Sequence, residues 1–292
     1  MRKIPLTILA YEGPSVRAYL SRLRHAGLVP QRILRLVLQR HPVTGKPVGR
    51  WLPRGLRVEY AQGSQEWACN FWPRRIRAAH PRLVETMTKE IARLCPEAPR
   101  VIEEGLGRFA YEEYAGEVER VFVEGLQDPA LREACARLAP AVILFTGGGI
   151  LPDRLLGVPG LRFLHVHPGC LPEVRGADGV LWSTLVRGRP GVSCFSMARG
   201  IDVGDVIAAE ELPPVHFDLT HQPRPDDRTL YRAIFSFYDP MIRAEFFVRR
   251  VLSLPGDLLT LPGTPQARGT GCTYHFMHPL LRHQALRQLF QS

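Results

Sequence analysis

A short apolar run that stops at a proline and a glycine constrains this chain more than any other feature. Phe163-Leu164-His165-Val166-His167 alternates like a buried strand and is cut off by Pro168-Gly169. Side chains two apart on a strand share a face, so His165 and His167 point one way and Val166 the other. Upstream, Ala141-Val142-Ile143-Leu144-Phe145 is continuously apolar, as strands buried on both faces are, and leads into Thr146-Gly147-Gly148-Gly149. Missing side chains there let backbone approach a ligand closely. Ligands of open α/β sheets sit beyond the carboxyl ends of such strands, which is where the two imidazoles arrive.

Downstream, Gly200-Ile201-Asp202-Val203-Gly204-Asp205 places a carboxylate in a glycine-bracketed turn between the β-rich runs 192–196 and 206–208. A histidine on one strand end and an aspartate beside the next can meet. Histidine is the usual proton acceptor near neutral pH, and a carboxylate can orient it and hold a water. By residue type alone, the two histidines suit core packing, a zinc or iron site completed by Asp202, or acyl-group transfer. Asp178 reads as a helix cap before 180–186 and Asp205 as a turn carboxylate.

The rest of the chain supplies the scaffold. Leu6–Ala10 reads as a first strand, 15–25 as a helix stopped by Gly27, and 32–38 as a second strand. This β-α-β opening predicts an α/β fold with a doubly wound, mostly parallel sheet. It lacks GxGxxG, so a nicotinamide site gains little support. Residues 41–80 show no sustained period and are expected to form an irregular insertion. Helices are expected over 81–94, 129–138 and 153–156, and a strand over 118–123. A long amphipathic helix is expected over 229–252, kinked or divided at Tyr238-Asp239-Pro240. Residues 253–292 are expected to form a short carboxy-terminal appendage holding a turn and a strand at most.

Composition narrows the class. With 45% hydrophobic residues there is material for a sizeable core, yet no eighteen-residue apolar run predicts a membrane span and the amino terminus has no signal-peptide pattern. The six cysteines lie far apart without CxxC spacing, which disfavours a disulfide framework and points to a cytoplasmic location. The net charge of +10 comes almost wholly from arginine and favours an anionic small molecule over nucleic acid, since no RNA-binding signature accompanies it.

Residues 140–210 resemble the folate-dependent formyltransferases, a family that includes glycinamide ribonucleotide, methionyl-tRNA and nucleotide-sugar N-formyltransferases. That family carries a strand ending Asn-x-His, then a small residue, Leu-Pro and often Arg-Gly, and later Gly-x-Asp-x-Gly. This chain has His165-Val166-His167, Cys170-Leu171-Pro172, Arg175-Gly176 and Gly200-Ile201-Asp202-Val203-Gly204, with Gly149-Ile150-Leu151-Pro152 resembling the loop over the pterin.

The resemblance implies a catalytic domain over 1–252 that moves a formyl group from 10-formyltetrahydrofolate to an amino, hydroxylamino or hydrazino nitrogen, with no metal. His167 would accept the proton, and Asp202 would orient His167 and a proton-relaying water. Gly149, Ile150, Leu151, Ala198 and Ile201 would cradle the pterin, and Arg175 would hold a substrate anion. His165 stands where the family has asparagine, whose amide donates to the formyl oxygen, a contribution of roughly 3 kcal/mol for one oxyanion donor. His165 would be that formyl-oxygen donor here, which a histidine can be only in the right tautomer or when protonated.

The tRNA-directed members carry an additional carboxy-terminal barrel, for which 253–292 leaves no room, so a small-molecule amine is expected rather than a tRNA. A homodimer is compatible with the sequence. Two rival readings are a hydrolase releasing formate from the folate, and a relative whose acyl donor or catalysis has changed with His165.

Overall fold

A computed structural model describes residues 1–267 and 269–291. The chain enters through β1 (Arg2–Ala10), α1 (Pro14–His25) and β2 (Leu28–Leu38), then passes through α2 (Arg54–Cys69), α3 (Phe71–Ala79), α4 (Pro81–Ala92) and α5 (Ala98–Leu106). It continues through β3 (Glu117–Val123), α6 (Pro129–Ala136), β4 (Ala141–Phe145), α7 (Asp153–Leu156) and β5 (Leu161–His167). Next come β6 (Val174–Gly176), α8 (Gly179–Arg187), β7 (Gly191–Ser196), β8 (Val206–Glu211), β9 (Phe217–Asp218), α9 (Asp227–Ala233) and α10 (Asp239–Phe246). The last elements are β10 (Cys272–Tyr274), α11 (Pro279–Leu289) and β11 (Phe290–Gln291).

Seven strands form one sheet in the order β3-β2-β1-β4-β5-β7-β8. The first five are mutually parallel, and β7 and β8 continue the sheet antiparallel. The strand order reverses between β1 and β4, so the carboxyl ends of β1, β4 and β5 open onto the crevice where such sheets bind ligands. The α/β class and the mostly parallel sheet agree with the sequence reading.

The apolar run of β4 is buried on both sides. Val142 and Leu144 join the core beneath α1, α4, α5, α9 and α10, while Ile143 and Phe145 join a second core beneath α6 and α7. β5 obeys the same alternation: Leu164 and Val166 face the first core and Phe163 the second, so His165 and His167 continue the row of Phe163 to the strand end.

Two expectations are corrected. Residues 41–80 are not irregular, because 54–69 and 71–79 are helical. The buried face of α2 consists of Ala61, Gln65 and Ala68, too small and polar to register as an apolar period, while Leu56, Tyr60 and Trp67 are exposed. Pro73 falls in the first turn of α3, where a missing N–H costs nothing. The tail also holds more than a turn and a strand. Its helix α11 buries Ala285, Leu286 and Leu289 in the main core, and β10 pairs with β6.

The closing helix divides near the place expected. A π-helical turn over Ile234–Tyr238 precedes α10 and lets the helix run on through Pro240, since a wider turn relieves the ring clash with the preceding carbonyl. Among the described residues no helix is long and apolar enough to cross a membrane.

Because Leu286 is fully buried, Leu286→Ala should lower unfolding stability by about 2–5 kcal/mol. Denaturant unfolding checks this; a change below about 0.5 kcal/mol, as at surface sites, would mean that the tail is not part of the cooperative core.

Candidate active site

The carboxyl ends of β4 and β5 open into a cavity of about 640 Å³, a usual size for a small-molecule site. Its walls come from 146–151 after β4, His165 and His167 of β5, 197–202 between β7 and β8, α9 and α10, and 273–276 of the tail. Thus the sequence-predicted Gly149, Ile150, Leu151, His165, His167, Ala198, Ile201 and Asp202 all line one cavity. Glycine is required at 147, because a Cβ there would meet Tyr11 Cβ at 2.8 Å and the Phe145 ring at 2.9 Å. It is required again at 204, where the turn closes directly on the Ser196 carbonyl.

His167 is buried, and its Nε2 lies 2.9 Å from the Val174 carbonyl oxygen. A carbonyl only accepts, so Nε2 carries the hydrogen and the neutral ring presents the Nδ1 lone pair. Nδ1 in turn faces Asp202 Oδ2 at 3.4 Å. With the ring neutral, a lone pair and a carboxylate oxygen face each other there. Burial lowers the pKa of His167 below its ordinary value and Asp202 opposes that shift. Asp202 Oδ2 also accepts from Gly176 N at 2.8 Å, while Oδ1 has no partner among the described residues and is not sealed from the cavity.

Asp202 sits at φ 52, a left-handed conformation that costs a non-glycine residue of order 1–3 kcal/mol and must be held by its surroundings. The tail holds it. Gln266 Nε2 donates to the carbonyls of Asp202 and Gly204, both at 2.8 Å, and Gln266 Oε1 accepts from Arg175 Nε at 3.0 Å. Arg175 Nη1 donates to the Thr270 carbonyl at 2.8 Å. Arg175 is therefore no anion site. It is buried, it does not line the cavity, and it braces the tail that supports the Asp202 turn. The pairing of β6 with β10, which no local pattern announces, accounts for the difference.

His165 also lines the cavity, and its Nδ1 lies 2.9 Å from the Phe145 carbonyl oxygen. The hydrogen is consequently on Nδ1, and a neutral His165 shows the cavity an Nε2 that accepts. This corrects the expectation of a formyl-oxygen donor: the asparagine-like role needs an N–H pointing inward, and the Phe145 carbonyl has taken it. Burial, aided by the Arg243 cation, lowers the pKa of His165 to about 4.

Arg243 escaped the sequence reading. It is buried beside the histidines, pairs with Asp239 Oδ2 at 2.8 Å, and donates to Ser15 Oγ at 2.8 Å and to the Val166 carbonyl at 3.3 Å. A cation inside the apolar stripe Met241, Ile242, Phe246 was the available signal. Asp178 is likewise not the side-chain cap expected for α8. Its Oδ1 accepts from the Tyr231 hydroxyl at 2.8 Å and its Oδ2 from Met277 N at 2.7 Å, so it ties α9 and the tail to the cavity wall.

With this geometry in place, residues 102–223, which include both histidines and Asp202, match the family model described as formyl transferase. Over that segment the chain is similar to the formyl transferases. The methionyl-tRNA formyltransferase of Syntrophus aciditrophicus is 40% identical over 92 residues, 30% of this chain and 29% of that protein. The one from Chlorobium phaeovibrioides is 34% identical over 92 residues, 31% of this chain and 29% of that protein. The chain thus spans less than a third of the length of these relatives. Among solved structures, a sugar N-formyltransferase from Shewanella is similar at a TM-score of 0.47 with 11% identity, over 98% of this chain and 87% of that one.

The lowered pKa of His165 has a consequence for stability. Between 6.5 and about 4 the unfolded chain binds a proton that the folded chain refuses, so this contribution is complete above pH 6.5 and disappears as pH falls to about 4. It amounts to no more than about 3 kcal/mol. Acidification over that window should therefore lower the unfolding midpoint less in His165→Asn than in the wild type, which thermal unfolding at a series of pH values measures; equal slopes would place His165 in an unperturbed setting.

Proposed function

We propose that this protein is an N-formyltransferase that moves the formyl group of 10-formyltetrahydrofolate to a nitrogen of a small amine. The observation that carries the reading is the His167–Asp202 pair, with Nδ1 and Oδ2 3.4 Å apart, facing a cavity walled by a glycine loop.

The lining fits the pterin end of a folate. Ile150 and Ile201 are 60% and 41% exposed at the cavity, an arrangement that a flat ring lying against them would relieve. Gly148 is open, with nothing within 4 Å of a Cβ placed there, so main chain can lie close to such a ring. When bound, 10-formyltetrahydrofolate supplies an activated formyl carbon.

The protein's own residues then manage charge and protons. The attacking nitrogen must shed a proton as it bonds to the formyl carbon. His167 Nδ1 and Asp202 Oδ2, 3.4 Å apart, gain a hydrogen bond when a proton settles between them, which turns an unfavourable pairing into a favourable one. The Val174 carbonyl keeps Nε2 protonated, so the accepting nitrogen cannot turn away. Asp202 Oδ1 remains open to hold the nitrogen or a water that returns the proton to the departing folate nitrogen. The N–H groups of Gly148 and Gly149 donate to nothing among the described residues and border the cavity, as donors for a developing oxyanion must.

In a transfer assay with 10-formyltetrahydrofolate and a panel of amines, His167→Ala should reduce kcat by about 10²–10⁴-fold, the usual worth of a general base. Asp202→Asn should lose most activity, and both variants should still bind 5-formyltetrahydrofolate. Turnover near the wild-type rate in either variant would remove that residue from the chemistry, and formate release at full rate without any amine would make the protein a hydrolase.

A further inference from the structure

His165 presents an acceptor where a donor was expected, and a second acceptor faces the same cavity. The Nδ1 hydrogen of His165 is committed to the Phe145 carbonyl at 2.9 Å, and its Nε2 has no partner among the described residues and is not sealed from the cavity. Asp202 Oδ1 is likewise without a partner. His165 and His167 share one face of β5, and Asp202 lies against His167, so both free acceptors border the place where His167 would take a proton. An unprotonated imidazole nitrogen repels a developing oxyanion, whereas it attracts an N–H.

We propose that His165 Nε2 accepts a hydrogen bond from the incoming nitrogen, and that His165 and Asp202 together select an acceptor bearing two hydrogens on the attacking atom. The inference rests on the formyl-transfer reading and names its acceptor class: a primary amino, hydroxylamino or hydrazino group entering uncharged. One N–H points to His165 Nε2 and the other to Asp202 Oδ1, which leaves the nitrogen lone pair directed at the formyl carbon. The N–C bond forms, the bond from the formyl carbon to N10 breaks, the hydrogen facing Asp202 departs as a proton through the His167–Asp202 pair, and a proton ends on N10. The hydrogen facing His165 stays on the product formamide.

The setting favours this role over the alternatives. The burial of the site and the nearby Arg243 cation, which donates to the Val166 carbonyl, both oppose protonation of His165, so it remains an acceptor throughout the neutral range. The Phe145 and Phe195 rings, with centroids 5.8 Å and 6.0 Å from the imidazole, pack around it and restrict its rotation. The remainder of the acceptor would lie toward Tyr231, Phe235 and Tyr274 on the far wall.

The test uses the full chain, 10-formyltetrahydrofolate and two small probes, hydroxylamine and N-methylhydroxylamine, which differ in one N–H. The wild type should favour hydroxylamine in kcat/KM by roughly ten- to hundredfold, the worth of one hydrogen bond to a buried acceptor. His165→Leu should erase most of that preference and raise KM for hydroxylamine, while equilibrium binding of 5-formyltetrahydrofolate stays as in the wild type. In His165→Asn the amide oxygen can accept in the same place and should preserve the preference. Equal use of the two probes by the wild type, or unchanged kcat/KM in folded His165→Leu, overturns the inference while leaving formyl transfer intact. A fall in kcat alone, with KM unaltered, overturns it in favour of an oxyanion role. Absence of transfer to any amine by the wild type overturns the formyl-transfer reading and the inference with it.

Discussion

Two hydrogen bonds from imidazole nitrogens to main-chain carbonyls govern this site. His165 Nδ1 is held by the Phe145 carbonyl and His167 Nε2 by the Val174 carbonyl, each at 2.9 Å. Because carbonyls cannot donate, each bond fixes which nitrogen bears the hydrogen, and the two neighbouring rings are fixed in opposite tautomers. Histidines two apart on one strand thereby acquire different tasks without any difference in residue type. The Phe145 carbonyl is available because β4 ends there, and the Val174 carbonyl because β6 pairs with the tail strand β10 on its other edge.

That dependence on the tail extends to Asp202. A left-handed aspartate is unfavourable in isolation, yet Gln266 holds two carbonyls of its turn and Arg175 holds Gln266. The far wall is tied down in the same manner, through Asp178 to Tyr231 and Met277 and through Trp182 Nε1 to the His275 carbonyl at 2.9 Å. A buried helix face and hydrogen bonds through Gln266, Thr270, His275 and Met277 make the described tail part of the site's frame rather than an addition to it. Just beyond the carboxyl end of β1, Glu12 serves a comparable purpose. Burial alone would raise its pKa, but Arg17 and Arg35 hold the carboxyl below its ordinary value, and Asn70 and Tyr111 bind it too, so α2 is fastened to the strand ends.

What the sequence disclosed follows from range. β4, the glycine loop, β5 and the Asp202 turn are local patterns whose period and punctuation survive in one dimension, and they place eight of the cavity's residues. The helices of 54–79 were hidden because their buried face is alanine and glutamine, and because prolines that break a helix interior are harmless in a first turn. The function of Arg175 depends on a partner ninety-one positions away, and the tautomer of His165 on a carbonyl twenty positions away, so neither could be read from neighbours. Arg243 was legible in principle as a charge within an apolar stripe, but only the fold gives it Asp239, Ser15 and the Val166 carbonyl as partners.

The tautomers themselves can be observed without substrate. Long-range ¹H–¹⁵N correlation spectra of the histidine rings near neutral pH, assigned through His165→Asn and His167→Asn, distinguish a protonated from an unprotonated ring nitrogen directly. His165 should show a protonated Nδ1 and a bare Nε2, and His167 the reverse. A protonated Nε2 on His165 would make it a donor to the cavity after all and contradict the assignment of opposite tasks to the two rings.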